Sequence, residues 1–264
     1  MISRLPKSKK ANDTASTQEL SRLRDELESL EKRQSEFVSF AAHQLRAPLT
    51  ALRGYASLLL EGDLGALPPA AASAAEKIYE SAGRLTEIVD GYLDINHLDT
   101  GVMKYDFAPV DLRLLVEEII AELQPIIDRS PVIFSFRIID PAATYQVLAD
   151  RSRLRQAITN LLDNAFKYTP AGSVELILNL DEPRSRVVLE IADTGIGIEP
   201  EVMPKLFQKF SRADNAKFFH RQGSGLGLFV AREIIAAHQG ELQAQSAGAG
   251  RGAKFSISLE PFGR

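Results

Sequence analysis

Leu20, Leu23, Leu27, Leu30, Gln34 and Phe37 follow one another at intervals of 3, 4, 3, 4 and 3, with Arg, Glu and Lys filling the positions between. A repeat averaging 3.5 residues keeps one seam on the same side of an α-helix, and no strand, with its period of two, can do so. The spacing therefore predicts a two-stranded coiled coil over residues 17–36. It continues through Ala41, Leu45, Pro48, Leu52, Tyr55 and Leu59, so one helix is expected from about Thr17 to Glu61. The stretch "EGDLGALPP" then stops it with Gly62, Gly65 and a proline pair. A second run, Ala71, Ala75, Ile78, Ala82, Leu85, Val89 and Tyr92, has the same alternation. Two such helices form an antiparallel hairpin, expected over residues 37–98. Its single apolar stripe is best buried by pairing with a second copy into a four-helix bundle, which predicts a homodimer. Residues 1–16, polar and rich in Ser, Thr, Lys and Asn, are expected to be a disordered lead-in.

Residues 99–110 lack any period and contain Gly and Pro, as a linker would. From 111 to 264 the texture changes. A capped amphipathic helix runs from Asp111 to about Ile127, followed by the β-branched segments "PVIFSFRI" and "YQVLA" and a helix from Asp150 to Tyr168. The strands "SVELILNL" and "RVVLEIAD", a Gly-rich turn, a polar loop, a helix from Gly225 to His238 and two closing strands complete the chain. This order predicts a mixed sheet covered by helices, an α+β sandwich.

Composition removes several function classes. A net charge of -4 argues against a nucleic-acid partner. With no cysteine, disulfides and thiolate metal sites are excluded. No run approaches the roughly 18 apolar residues of a membrane span, and "MISRLPKSKK" lacks a secretion signal's apolar core. The expectation is a cytoplasmic protein, or the cytoplasmic part of a membrane-bound one whose sensor lies upstream in a longer parent.

Chemistry concentrates in three places. In "NLLDNAFKY", Asn160, Asn164 and Lys167 share one helical face, while Ile158, Leu161, Leu162 and Ala165 occupy the other. Two amides and an ammonium on one face suit a magnesium-bound polyphosphate, although a solvated polar face would look the same. "DTGIGI" (193–198) follows a strand and "GSGLGL" (223–228) opens a helix, where glycines let backbone N–H groups approach phosphate. Neither is a dinucleotide fingerprint, since no parallel βαβ unit surrounds it, nor a P-loop, since Gly-Lys-Ser/Thr is missing.

Taken in order, "HQLRAPLT", "NLLDNAFKY", "DTGIGI", "LFQKF" and "GSGLGLFVAREI" resemble the H, N, G1, F and G2 boxes of bacterial sensor histidine kinases, over roughly Gln34 to Leu259. The resemblance implies a dimeric helical hairpin carrying a phosphorylatable histidine, joined to an α/β-sandwich ATP-binding domain of the GHKL (Bergerat) type. It implies ATP and Mg2+ as ligands, and a response regulator as partner whose aspartate receives the phosphoryl group from His43. Carried over by motif position, Asn164 would bind Mg2+, with Asn160 and Lys167 assisting at metal and phosphates and Tyr168 beside the adenine. Asp193 would accept the adenine amino group, and Gly195 and Gly197 would shape the pocket. Gly223, Ser224, Gly225, Leu226, Gly227 and Leu228 would hold the phosphates. The loop from Ser211 to Gln222 would form a lid, with Arg212 and Arg221 as its phosphate contacts.

His43 stands about 200° around the helix from Ala41, so it faces away from the apolar stripe. Pro48 removes a backbone N–H one turn later and is expected to bend the helix there. No role falls to His97 or His220, and His238 is expected to end its helix. Two positions depart from the family pattern. Gln44 replaces the usual acid after the histidine and can only accept a hydrogen bond that sets the ring tautomer. Ala47 replaces Thr or Asn and cannot orient a water for dephosphorylating a partner. These departures keep open an alternative, a nucleotide-binding scaffold with weak or no autokinase activity. A gyrase-like or MutL-like ATPase is disfavoured, because the position of its hydrolytic Glu is Asn160.

Overall fold

The computed structural model describes residues 8–101, 103–181, 185–211 and 225–263. Helix α1 (Ser8–Glu61) and helix α2 (Pro69–Asp99) form the antiparallel hairpin. Helix α1 begins at Ser8, so residues 8–16 of the expected disordered lead-in belong to it, while residues 1–7 lie outside the described residues. The side chains of Leu20 and Leu27 also lie outside them. Helix α1 continues through Pro48, whose missing N–H leaves the Gln44 carbonyl without its helical donor. Among the described residues no helix is long and apolar enough to cross a membrane.

Of the stripe legible in the sequence, Ala75 and Ala82 of α2 close the hairpin, but on α1 a different line does so. Among the described side chains of α1, Ser35, Ala42, Leu49 and Ala56, each seven residues apart, are the buried ones, and Ala75 and Ala82 face them from α2. Small side chains allow close approach, and polar pairs pin the register. Asn96 Nδ2 donates to Ser35 Oγ at 2.8 Å, and Arg46 pairs with Asp90 at 2.5 Å. The large residues of the expected stripe are left on an outer face: Leu45, Leu52 and Tyr55 of α1 and Ile78, Leu85 and Tyr92 of α2 are all exposed. The hairpin thus has two apolar lines instead of one.

The segment expected to be linker ends as a strand. β1 (Ala108–Asp111) pairs antiparallel with β3 (Gln146–Ala149) as a separate two-stranded sheet. Between them lie α3 (Leu112–Arg129), capped by Asp111, and β2 (Val132–Ile138). Helix α4 (Arg151–Lys167) precedes β4 (Gly172–Asp181) and β5 (Arg186–Asp193), and α5 (Gly227–Ala237) precedes β6 (Glu241–Gln245) and β7 (Ala253–Leu259). The main sheet has the order β2-β4-β5-β7-β6, with only the β2–β4 pair parallel. A parallel pair needs a crossover, and here β3 and α4 supply it.

Alternate strand residues enter one core. Val174, Leu176 and Leu178 of β4, Val187, Leu189 and Ile191 of β5, and Ile257 and Leu259 of β7 are at most 1% exposed. Against them pack Leu115, Val116 and Ile119 of α3, Leu154, Ile158, Leu161 and Leu162 of α4, and Val230, Ile234 and Ile235 of α5. Each fully buried aliphatic side chain is worth about 1.5–3 kcal/mol. Ile95 of α2 belongs to the same cluster, so the hairpin and the sandwich share buried apolar surface.

Asp150 ties three segments together. Its Oδ1 accepts from the N–H groups of Ser152 (2.9 Å) and Arg153 (3.0 Å), and its Oδ2 accepts from Asp106 N–H (3.0 Å). Its own N–H donates to Nε2 of buried His238 at 2.9 Å. His238 lies just past the last residue of α5, where its helix was expected to end. Burial alone would raise the Asp150 carboxyl, but the Asp106, Arg153 and Ser152 hydrogen bonds together pull it below its ordinary value. A lowered carboxyl stabilises the fold above the ordinary aspartate range and loses that contribution as pH falls through its folded value. Asp150→Ala should therefore destabilise by about 1–2 kcal/mol at pH 7, the upper part of the range for lost helix caps. Denaturant titration should show this difference shrinking below about pH 4.

Candidate active site

The face of α4 that does not enter the core opens on a cleft of about 570 Å³. Burying Ile158, Leu161, Leu162 and Ala165 turns Asn160, Asp163, Asn164 and Lys167 outward, and all four line the cleft. Opposite them stands Asp193 at the end of β5, with Ile196, Gly197 and Ile198 following it. Gly225, Gly227, Leu228 and Val230 bring in the start of α5. Asn160 Nδ2 donates to the Gly227 carbonyl at 3.3 Å, which joins α4 to that helix start and leaves the amide oxygen turned elsewhere. The Lys167 ammonium stands 5.4 Å from the centre of the Tyr168 ring, so the cation and the ring share one end of the cleft.

Backbone geometry explains the turn after Asp193. Gly195 packs against the Tyr168 carbonyl, where a Cβ would collide, and Ile196 N–H donates to that carbonyl at 3.0 Å. Gly197 has φ +69°, and a Cβ there would fall on the Gly248 carbonyl oxygen. Asp193 Oδ1 accepts from Gly195 N–H at 2.8 Å and Ala253 N–H at 3.3 Å, which fixes the carboxylate plane. Burial raises its pKa, partly offset by the Gly195 and Ala253 donors and the Thr169 hydroxyl. That hydroxyl is sealed from solvent and close enough to act on the carboxylate, though not aligned as a hydrogen bond.

The fourth wall belongs to the hairpin. Glu87, Asp90, Gly91 and Asp94 of α2 line the same cleft. Asp94 receives Arg153 Nη1 at 3.1 Å and Gln156 Nε2 at 2.6 Å from α4, and Asp99 receives Lys209 Nζ at 2.6 Å. Leu226 does not line the cleft. It is buried, and its side chain lies over Gly91. Helix α5 starts at Gly227 instead of Gly225, which has φ +71° and belongs to the turn before it. Arg212, Arg221, Gly223 and Ser224, and almost all of the expected lid, lie outside the described residues. His43 and Gln44 are exposed on α1 and are not part of the cleft wall.

Sequence reasoning missed Asp163 and the α2 residues. The signal was present, since Glu87, Asp90, Gly91 and Asp94 fall at i, i+3, i+4 and i+7, the spacing of one helical face. Nothing in that spacing said what the face would meet.

The pattern of the family described as His Kinase A (phospho-acceptor) domain matches residues 33–101. That of the Histidine kinase-, DNA gyrase B-, and HSP90-like ATPase matches residues 149–262. The chain belongs to the sensor histidine kinases. Among its relatives, the circadian input-output histidine kinase CikA of Thermosynechococcus vestitus is 29% identical over 243 residues, covering 92% of this chain and 33% of that protein. The phosphate regulon sensor protein PhoR of Pseudomonas aeruginosa is 30% identical over 234 residues, covering 88% of this chain and 51% of that protein. This kinase chain thus spans about a third to a half of the length of those relatives. Full-length ShkA in complex with AMPPNP superimposes with a TM-score of 0.66 at 28% identity, over 85% of this chain and 45% of that one. The Acinetobacter baumannii histidine kinase AdeS shares the fold, with a TM-score of 0.56 at 23% identity over 83% of this chain and 98% of that one.

Asp163 titrates out of its ordinary range in the cleft. Asp163 is exposed as a residue, but its carboxyl is turned to the cleft, where loss of hydration and, secondarily, the Glu87 carboxylate push its pKa up to about 6, against the pull of Lys167. A carboxyl raised on folding destabilises the native state once ionised, and the loss accumulates from the ordinary aspartate value of 3.8 up to about 6. Asp163→Asn removes that ionisation. Its melting temperature should match the wild type near pH 4, exceed it progressively to pH 6, and keep a constant advantage above.

Proposed function

We propose that this kinase binds Mg-ATP in the α4–α5 cleft, phosphorylates His43, and passes the phosphoryl group to an aspartate of a response regulator. The observation that carries this reading is the convergence of Asn160, Asn164 and Lys167 with Asp193 across one cleft whose remaining wall is the histidine-bearing hairpin. In it Asp193 accepts the adenine amino group, with Tyr168 beside the base. The N–H groups at the start of α5 and the Lys167 ammonium receive the phosphates. Gly225 and Gly227 let the backbone come close. The bound nucleotide of ShkA is consistent with such use of the shared fold.

The donor set fits magnesium. No cluster of three His, Asp or Glu side chains exists among the described residues, as a dedicated protein cage would require. Magnesium bound to a nucleotide keeps waters and phosphate oxygens and needs few protein ligands, a role the Asn164 amide oxygen can fill with Asn160 beside it. The ion neutralises charge on the phosphates when bound. Transfer proceeds as one imidazole nitrogen of His43 attacks the γ-phosphorus. The P–O bond to ADP breaks, a P–N bond forms, and the proton on the other ring nitrogen is lost. Gln44 can hold that N–H but cannot take its proton, so the proton passes to water.

The exposed stripe through Leu45, Leu52, Leu85 and Tyr92 is the surface that a homodimer would bury as a four-helix bundle. An exposed His43 is also open to a receiver domain.

Incubation with γ-labelled ATP should yield acid-labile, alkali-stable label that His43→Gln abolishes while nucleotide affinity stays unchanged. Asn164→Ala should lose magnesium-dependent ATP binding in calorimetry. Nucleotide binding without label in the wild type would point instead to a signalling scaffold.

Gln44→Glu supplies a carboxylate able to accept the imidazole proton. General-base assistance contributes about 10²- to 10⁴-fold, and Gln44 already provides the orienting part. Single-turnover autophosphorylation should rise about tenfold, read at saturating Mg-ATP.

A further inference from the structure

The hairpin has two distinguishable sides, and they bear on which histidine the cleft serves. Taking buried Ala42 as the direction from α1 to α2, His43 lies about +100° and Arg46 about +40° around the helix, whereas Leu45 and Leu52 lie about -60° and -80°. Taking buried Ala82 as the direction from α2 to α1, the cleft-lining Asp90, Asp94 and Glu87 lie about +80°, +120° and +140° and Gly91 about 180°, whereas Leu85 and Tyr92 lie about -60° and -80°. In an antiparallel pair the facing direction and the sense of rotation both reverse, so equal signs point to the same side of the hairpin. Arg46 and Asp90 confirm this by meeting in an ion pair at 2.5 Å.

Height agrees as well. Arg46 is level with Asp90, and Ser39 Oγ lies 3.3 Å from His97 Nε2. His43 falls between these two pairs, opposite the stretch of α2 that ends at Asp94. The cleft therefore lies behind α2, turned toward the side of the hairpin that carries His43 and at its height, with the exposed apolar stripe on the other side.

We propose that His43 is phosphorylated by the catalytic domain of its own chain. The proposal rests on the kinase reading above. A two-fold bundle that buries the Leu45, Leu52, Leu85 and Tyr92 stripe turns the two catalytic domains outward in opposite directions. Each domain is then turned toward the face that carries its own His43, and His43 of the partner subunit lies across the bundle. Reaching the near histidine requires a shift across α2 of about one interhelical spacing, 8–10 Å. That movement must release the Asp94–Arg153 and Asp99–Lys209 contacts.

Two purified heterodimers with different tags, incubated with γ-labelled Mg-ATP, test this. In wild type paired with the His43→Gln, Asn164→Ala double variant, one chain holds the only working cleft and the only acceptor. It should be labelled to about half the wild-type homodimer level. In His43→Gln paired with Asn164→Ala, the working cleft and the acceptor sit on different chains, and no label should form. Label in the second heterodimer with none in the first overturns the proposal. Absence of label in the wild-type homodimer would overturn the kinase reading itself, and this proposal with it.

Discussion

The site depends on the division of α4 into two faces. Ile158, Leu161, Leu162 and Ala165 are at most 1% exposed against the sheet. Because they lie on one side, rotation of the helix is not available to Asn160, Asn164 and Lys167, which must face the cleft. Turning α4 by even a third of a turn would bury the amides and expose the leucines. Several side-chain burials of about 1.5–3 kcal/mol each stand against it. The same packing brings α5 alongside, where Asn160 holds the Gly227 carbonyl. The cleft is thus rigid on the side where a ligand's charge would rest.

The opposite wall has a different character. Helix α2 presents Ala75 and Ala82 to α1, Leu85 and Tyr92 to the outside, and Asp90 and Asp94 to the cleft. Its grip on the sandwich combines Ile95, the partly buried Asp94–Arg153–Gln156 cluster and the exposed Asp99–Lys209 pair. An exposed pair is worth little, while the carboxylates of Glu87 and Asp163 oppose each other across the gap. A contact made of such terms can be remade without unfolding either part, as the proposed approach of the cleft to His43 requires.

Much of this was legible from residue spacing. The 3–4 alternation located both hairpin helices, the period-two segments located the strands, Asp111 marked the cap it provides and Asp150 the start of its helix. The face shared by Asn160, Asn164 and Lys167 needed only helical geometry. What spacing hid was the use of small residues. Ala42 and Ala56 of α1 carry too little hydrophobicity to stand out beside Leu and Tyr, yet with Ala75 and Ala82 of the α2 run they close the hairpin because they let two backbones approach. The start of α5 was misplaced by two residues because Gly225 takes a positive φ, which a glycine permits and a sequence does not announce. The end of the expected linker became β1 through its ladder to β3, a pairing with residues almost forty positions away.

Local chemistry therefore determined the elements, their amphipathic faces, the family boxes and the identity of the cleft's polar face. Each follows from the period of a helix or strand and from which side chains avoid water. The tertiary structure alone decided that the acidic face of α2 closes the cleft, that Leu226 turns to Gly91, and that the cleft is turned toward the side of the hairpin that carries His43. Those relations join residues far apart in the chain. They arise from which buried surfaces fit together, and no spacing along the sequence encodes that.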